Sequence, residues 1–138
     1  MATTARRVGL GAPPERVASA DHAHGLEEIG EATAYRRYLF DLISPHLAGH
    51  VLEIGAGRGD FATHFSTGSK LTLTDVDPRC LDAITARFAD RTEVEVRHLD
   101  ITLPTALPQV DSVVAINVLE HIRDDAVSYT HLTLPTKA

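Results

Sequence analysis

Apolar residues fall along this chain in two rhythms, and the alternation between them predicts an order of elements. From about Glu27, the positions Tyr35, Tyr38, Leu39, Leu42 and Ile43 recur at three- and four-residue spacing, the mark of one helical face. Pro45 breaks that pattern, and Gly49 is placed to close the last turn. Residues 50–54 form an apolar run that ends at Gly55; it is too short for a helix and predicts a buried strand. A helix closed by Gly68 is expected over residues 60–67, then a second strand over 70–74 ending at Asp75. Asp77-Pro78 reads as a helix start, because Asp can cap free amides and Pro has no amide proton to satisfy. That helix should present Leu81, Ile84 and Phe88 on one face. Residues 92–99 alternate Val94 and Val96 with Glu93, Glu95 and Arg97, a third strand with one wetter face. Residues 111–116 read as a fourth strand, almost wholly apolar, and a further helix is expected over 117–127. Strands alternating with helices imply right-handed crossovers and an α/β fold, its parallel sheet covered on both faces.

Composition narrows the picture. A chain of 138 residues, 43% apolar and 23% charged, is one small globular domain with a real core. A net charge of -6 argues against nucleic acid as a partner, since neutralising phosphates needs clustered Lys and Arg. No run approaches the roughly 20 apolar residues of a membrane helix, and Arg6 and Arg7 have no apolar stretch behind them to make a secretory signal. Cys80 is the single cysteine, which excludes an internal disulfide and fits a reducing, cytoplasmic setting. Residues 1–25, rich in Ala, Thr, Gly and Pro, read as a disordered leader ahead of a domain over 26–127.

The candidate chemistry begins where the first strand ends. Gly55, Gly57 and Gly59 alternate through the turn that follows Glu53, where a side chain would hold a ligand away from the backbone. A tight strand-to-helix turn without a ligand would use the same residues, so neighbours matter. Asp75 ends the second strand 20 residues after Gly55, where a carboxylate can accept both hydroxyls of a ribose. Helix capping would also explain an acid there, but Asp77 already fills that role. Asp100 ends the third strand, so these groups share the carboxyl edge of one sheet, where open α/β folds bind their ligands.

With these residues the chain resembles the class I S-adenosylmethionine-dependent methyltransferases over about residues 30–127. Glu53-Ile-Gly55-Ala56-Gly57-Arg-Gly59 is similar to their first motif, Thr74-Asp75-Val76-Asp77 to the second and His98-Leu99-Asp100-Ile101 to the third. Residues 117–122, starting at Asn117 and including Glu120 and His121, resemble the Leu-Glu-His segment of the small-molecule members. The resemblance implies a Rossmann-like parallel sheet with helices on both faces and S-adenosyl-L-methionine as cofactor, with a small-molecule acceptor. It makes Glu53, Gly55, Ala56, Gly57, Gly59, Asp75, Val76, Asp100, Ile101 and Asn117 the cofactor-binding residues, Asp75 on the ribose and Asp100 at the adenine amino group. His121 becomes the candidate general base with Glu120 beside it, against a packing role for both. Two such ligands without a third make no metal site. The helix bearing Tyr35, Arg36, Arg37 and Tyr38 would close over the donor in similar enzymes; plain packing of both tyrosines beside solvated arginines is the expectation here.

The family has seven strands ordered 3-2-1-4-5-7-6, and only about four are visible here. Residues 128–138 do not continue the expected helix and resemble translated sequencing-adapter sequence, so an incomplete, inactive fragment with a foreign tail is expected. Two other functions compete. A non-catalytic nucleoside-binding module would not need acids around its glycine turn. A nicotinamide-dependent reductase would carry Gly-x-Gly-x-x-Gly, whose third glycine falls on Asp60.

Overall fold

The computed structural model describes residues 24–118 and 122, the first eight of them in backbone alone. Helix α1 (His24–Ile43) runs into a 3-10 turn, Ser44–His46, at Pro45. There follow strands β1 (Val51–Ile54) and β2 (Leu71–Asp75), helix α2 (Pro78–Arg87), and strands β3 (Val94–His98) and β4 (Ser112–Ala115). All pairings are parallel, in the order β3-β2-β1-β4. The fold is α/β with a Rossmann-like sheet, as the alternation of elements predicts.

Strand alternation sorts the core into two layers. Val51, Leu71, Leu73 and Val114 pack with Leu39 of α1 and with Ile84 and Phe88, so both α-helices cover the same face. Leu52 and Ile54 face the other way and meet Leu99 and Ile101, with Leu107, Val110, Val113 and Ile122 packed around them. That second cover comes from the β3–β4 connection and from the chain beyond β4. The helix expected over 117–127 cannot be placed, because only 117, 118 and 122 of it lie among the described residues. The expected leader (bar residues 24 and 25, which open α1) and the tail over 128–138 also lie outside them.

Two expectations give way. The segment 60–67 holds only a 3-10 turn, Ala62–His64, instead of a helix. Thr63 Oγ1 donates to the Asp60 carbonyl at 2.7 Å, a local side-chain bond within the turn. Phe61 and Phe65 instead turn inward against Phe40 of α1, with ring centroids 5.6 and 5.0 Å away. A segment this short gains little from helix propagation and more from burying two aromatic rings. On α1 the tyrosines do not pack as expected: Tyr35 and Tyr38 are 46% and 60% exposed, while Arg36 and Arg37 are solvated as expected and also pair with Asp60 and Asp41. Leu39, Phe40 and Ile43 form the packing face.

The amino edge of the sheet is held by polar clamps. Ser112 Oγ accepts from Ala48 N and donates to Ala48 O, and Asp111 accepts from His50 N at 2.8 Å. Glu93 accepts from Gly68 N at 3.0 Å and from Arg91 at 2.7 Å, which holds its carboxyl down at about 2.

Candidate functional site

β1 is flanked by β2 on one side and β4 on the other, and the connections on its two sides cover opposite faces of the sheet. The β1–β2 and β2–β3 links lie on the α1 side, and the β3–β4 link lies on the other. Such a reversal opens a crevice at the carboxyl ends of the strands. The turn over residues 55–60 leaves β1 at that point.

Backbone bonds fix the turn to the sheet. Ala56 N donates to the Thr74 carbonyl at 2.8 Å, and Gly59 N to the Ala56 carbonyl at 2.9 Å. Gly57 has φ +58°, and a Cβ there would meet nothing within 4 Å, so this backbone lies open to an approaching ligand. Gly59 is buried, and a Cβ on it would lie 2.7 Å from Phe88 Cε2. Its bare backbone admits α2, not a ligand. Gly55 lies against Val118 in the same way.

Asp75 joins the turn to β2. Its Oδ2 accepts from Gly57 N and its Oδ1 from Asp77 N, both at 2.9 Å. Each carboxylate oxygen can accept a further bond, so Asp75 can orient the turn and still hold two hydroxyls. Next along the edge, Asp100 Oδ1 accepts from Thr102 N and Oγ1, and these bonds lower its pKa. Val76 is 55% exposed beside Asp75, while Ile101 and Ala56 are buried in the core. Asn117 follows β4 with φ +55°, a left-handed conformation that Asn tolerates better than most residues. The four strand ends thus bring Gly55, Gly57, Asp75, Asp100 and Asn117 to one edge, and Glu53 lies buried behind the turn. Glu120 and His121 fall outside the described residues. Among the described residues no group of three metal-ligating side chains occurs, and no helix is long and apolar enough to cross a membrane.

The chain's pattern left other contributors unmarked. Asp60 is engaged from two helices, by a hydrogen bond from Arg87 Nη1 of α2 at 2.6 Å and an ion pair with Arg36 Nη2 of α1 at 3.6 Å. The Arg87 bond is the main reason its carboxyl pKa is lowered. Asp60 is therefore compensated, and it is the spacing of the glycines that separates this turn from the dinucleotide fingerprint. No local signal marks a pair 27 residues apart. Thr102 could have been found, since Asp-x-Thr at a strand end is a turn signature. A depression of about 770 Å³ lies at the opposite, amino edge. Two of its polar residues serve the clamps, Asp111 on His50 N and the His50 ring on Thr72 Oγ1, and none of the candidate residues lines it.

Residues 52–132 match the protein family described as "Methyltransferase domain". The chain belongs to that family. Comparison with curated protein sequences returns no match. Among solved structures, the methyltransferase-family chain is similar to the trans-methyltransferase CalH in complex with SAH, at 28% identity and TM-score 0.54 over 67% of this chain and 30% of that one. It is similar in fold to coclaurine N-methyltransferase bound to N-methylheliamine and SAH, at 19% identity and TM-score 0.62, covering 70% and 31% of the two chains. The glycopeptide N-methyltransferase MtfA complexed with S-adenosylmethionine gives 22% identity and TM-score 0.58, covering 72% and 47%. The chain therefore spans 30 to 47% of the length of these relatives.

Proposed function

We propose that this chain carries the donor side of an enzyme that moves a methyl group from S-adenosylmethionine to a small-molecule acceptor. One observation carries the reading: Asp75 holds the Gly57 amide through one oxygen and the Asp77 amide through the other. The ribose acid and the glycine turn are thus a single hydrogen-bonded unit at the switch point of the sheet. Bound donor supplies a methyl on a sulfonium, a leaving group that needs no protonation. The residues here have to bind and orient it. Asp75 offers its remaining lone pairs to the ribose hydroxyls, Val76 offers an apolar surface to the base, and Asp100 accepts from its amino group. The Gly57 backbone lets the amino-acid end come close. The acids that would burden a pyrophosphate suit a ligand that brings cations and no phosphate. Roles for His121 and Glu120 as base and neighbour rest on their place after β4. The small molecule N-methylheliamine bound to coclaurine N-methyltransferase supports the acceptor class. A nicotinamide ligand is disfavoured by the glycine spacing.

Titration calorimetry with S-adenosylmethionine tests this reading. Asp75→Ala should weaken binding by about 1.5–3 kcal/mol, the worth of hydrogen bonds to a charged group. Unchanged affinity would mean that the ribose is held elsewhere.

A further inference from the structure

Two successive residues at the end of α2 meet the second half of the glycine turn. Phe88 packs where Gly59 has no side chain, so closely that a Cβ there would lie 2.7 Å from its ring. Beside it, Arg87 Nη1 donates to the Arg58 carbonyl at 3.0 Å and to Asp60 Oδ1 at 2.6 Å. One nitrogen thus bridges the residues on either side of Gly59, whose backbone is left-handed at φ +79°. The Arg58–Gly59 peptide is held at both ends, its carbonyl by Arg87 and its amide by the Ala56 carbonyl at 2.9 Å. The Ala56–Gly57 peptide is held likewise, its carbonyl by Gly59 N and its amide by Asp75. Between these two fixed peptides lies Gly57–Arg58, at the residue where a Cβ would enter open space.

A simpler role for Arg87 is to offset charge. Asp60 pairs with it and with Arg36, and Glu53 lies buried behind the turn, its carboxyl pushed up to about 8 by burial first and Asp60 second. Yet the Arg87 and Asp60 side chains are 42% and 38% exposed, where an ion pair adds little to stability. Nor does charge compensation call for the bond to the Arg58 carbonyl, which carries no net charge. We propose, resting on the donor reading above, that Arg87 is a positioning residue of the donor site. By bridging Arg58 and Asp60 it fixes the second half of the turn, as Asp75 fixes the first, and Gly57–Arg58 meets the donor in one orientation. The two roles differ in sign. S-adenosylmethionine carries a sulfonium, so a cation beside the turn repels it, and removing that cation would tighten binding. Removing a positioning residue weakens binding instead, because the ligand must then order the turn.

Titration calorimetry of the 138-residue chain separates the roles, with S-adenosylmethionine and with S-adenosylhomocysteine, which lacks the methyl and its positive charge. Arg87→Met, which keeps the apolar stem, should weaken both ligands by the same factor, about tenfold, the scale of one hydrogen bond to a charged group. Tighter or unchanged binding of S-adenosylmethionine would overturn the proposal, as would an effect confined to one of the two ligands. In an amide proton–nitrogen correlation spectrum of the free variant, the Gly57 and Gly59 signals should shift while those of Leu52 and Leu73, in the central strands, stay in place. Unmoved Gly57 and Gly59 signals would also overturn it. Arg87→Gln carries the same expectations should Arg87→Met fail to fold. If the unaltered chain binds neither ligand, the donor reading itself fails. A chain that binds both and is indifferent to Arg87 fails the positioning role alone.

Discussion

A Cβ on Gly57 would enter open space, whereas one on Gly59 would press on the Phe88 ring. Both positions have left-handed backbone, which costs a non-glycine residue roughly 1–2 kcal/mol. Gly57→Ala should therefore lose about that much stability, with a disproportionate loss of donor affinity. Gly59→Ala adds the overpacking of Phe88, typically about 1–3 kcal/mol more. Urea unfolding beside ligand titration separates the two. Equal stability losses would mean that Phe88 yields easily, and intact donor binding in Gly57→Ala would remove that turn from the site.

Glu53 also sets a direction for stability against pH. Its carboxyl is raised from 4.5 to about 8 in the folded chain, so the native state holds the proton more tightly than the unfolded one. Stability on its account is full below pH 4.5 and falls as pH rises through about 8, at up to ~1.4 kcal/mol per pH unit. Glu93 acts in the opposite sense: its depressed carboxyl contributes above 4.5 and loses that contribution as pH falls towards about 2. The lowered carboxyls of Asp60, Asp77 and Asp100 share that sign. Denaturation midpoints should accordingly peak on the acid side of neutrality. In Glu53→Gln the decline between about pH 5 and 8 should flatten, and an unaltered slope there would assign it to another group.

Among the elements, α2 has its start written locally. Asp77 accepts from Arg79 N at 2.9 Å and Pro78 occupies the first turn. Asp77→Ala should cost about 1 kcal/mol in thermal unfolding, the usual worth of such a cap. Asp77→Asn, which keeps an acceptor, should recover most of it. A full loss in both would transfer the effect to the ion pair with the exposed Arg79. α1 is a contrasting case. Its spacing revealed a helix, but Tyr35 and Tyr38 fit the apolar stripe and still face solvent, because the face was chosen by Phe61, Phe65 and Asp60 further along the chain.

Over the whole molecule, burial is graded across the sheet. β1 is buried at every position and β2 at its first four, whereas β3 is half-buried or exposed throughout. Native-state hydrogen exchange should therefore be slowest at Leu52 and Leu73 and faster along β3, since opening free energy follows buried contact. Leu52→Ala should destabilise by about 2–5 kcal/mol, the range for a fully buried leucine. Faster exchange in β1 than in β3 would mean that the central strands are not the most stable unit.

Residues 50–54, 70–75, 92–99 and 111–116 revealed four strands because burial on both faces, or on one, leaves a pattern that needs no partner to read. The glycine turn and the acids at strand ends were legible for a similar reason: a backbone without side chains and a charge beside it are local facts. The segment at 60–67 misled, because Phe61 and Phe65 have a helical spacing that instead serves tilted and edge-on contacts with Phe40. Only the tertiary structure decided which glycine faces open space and which faces Phe88, that Asp60 is neutralised by two helices, and that Glu53 is buried with one oxygen unpartnered among the described residues. Each depends on groups brought together from distant parts of the chain, and long-range contact leaves no period in a sequence.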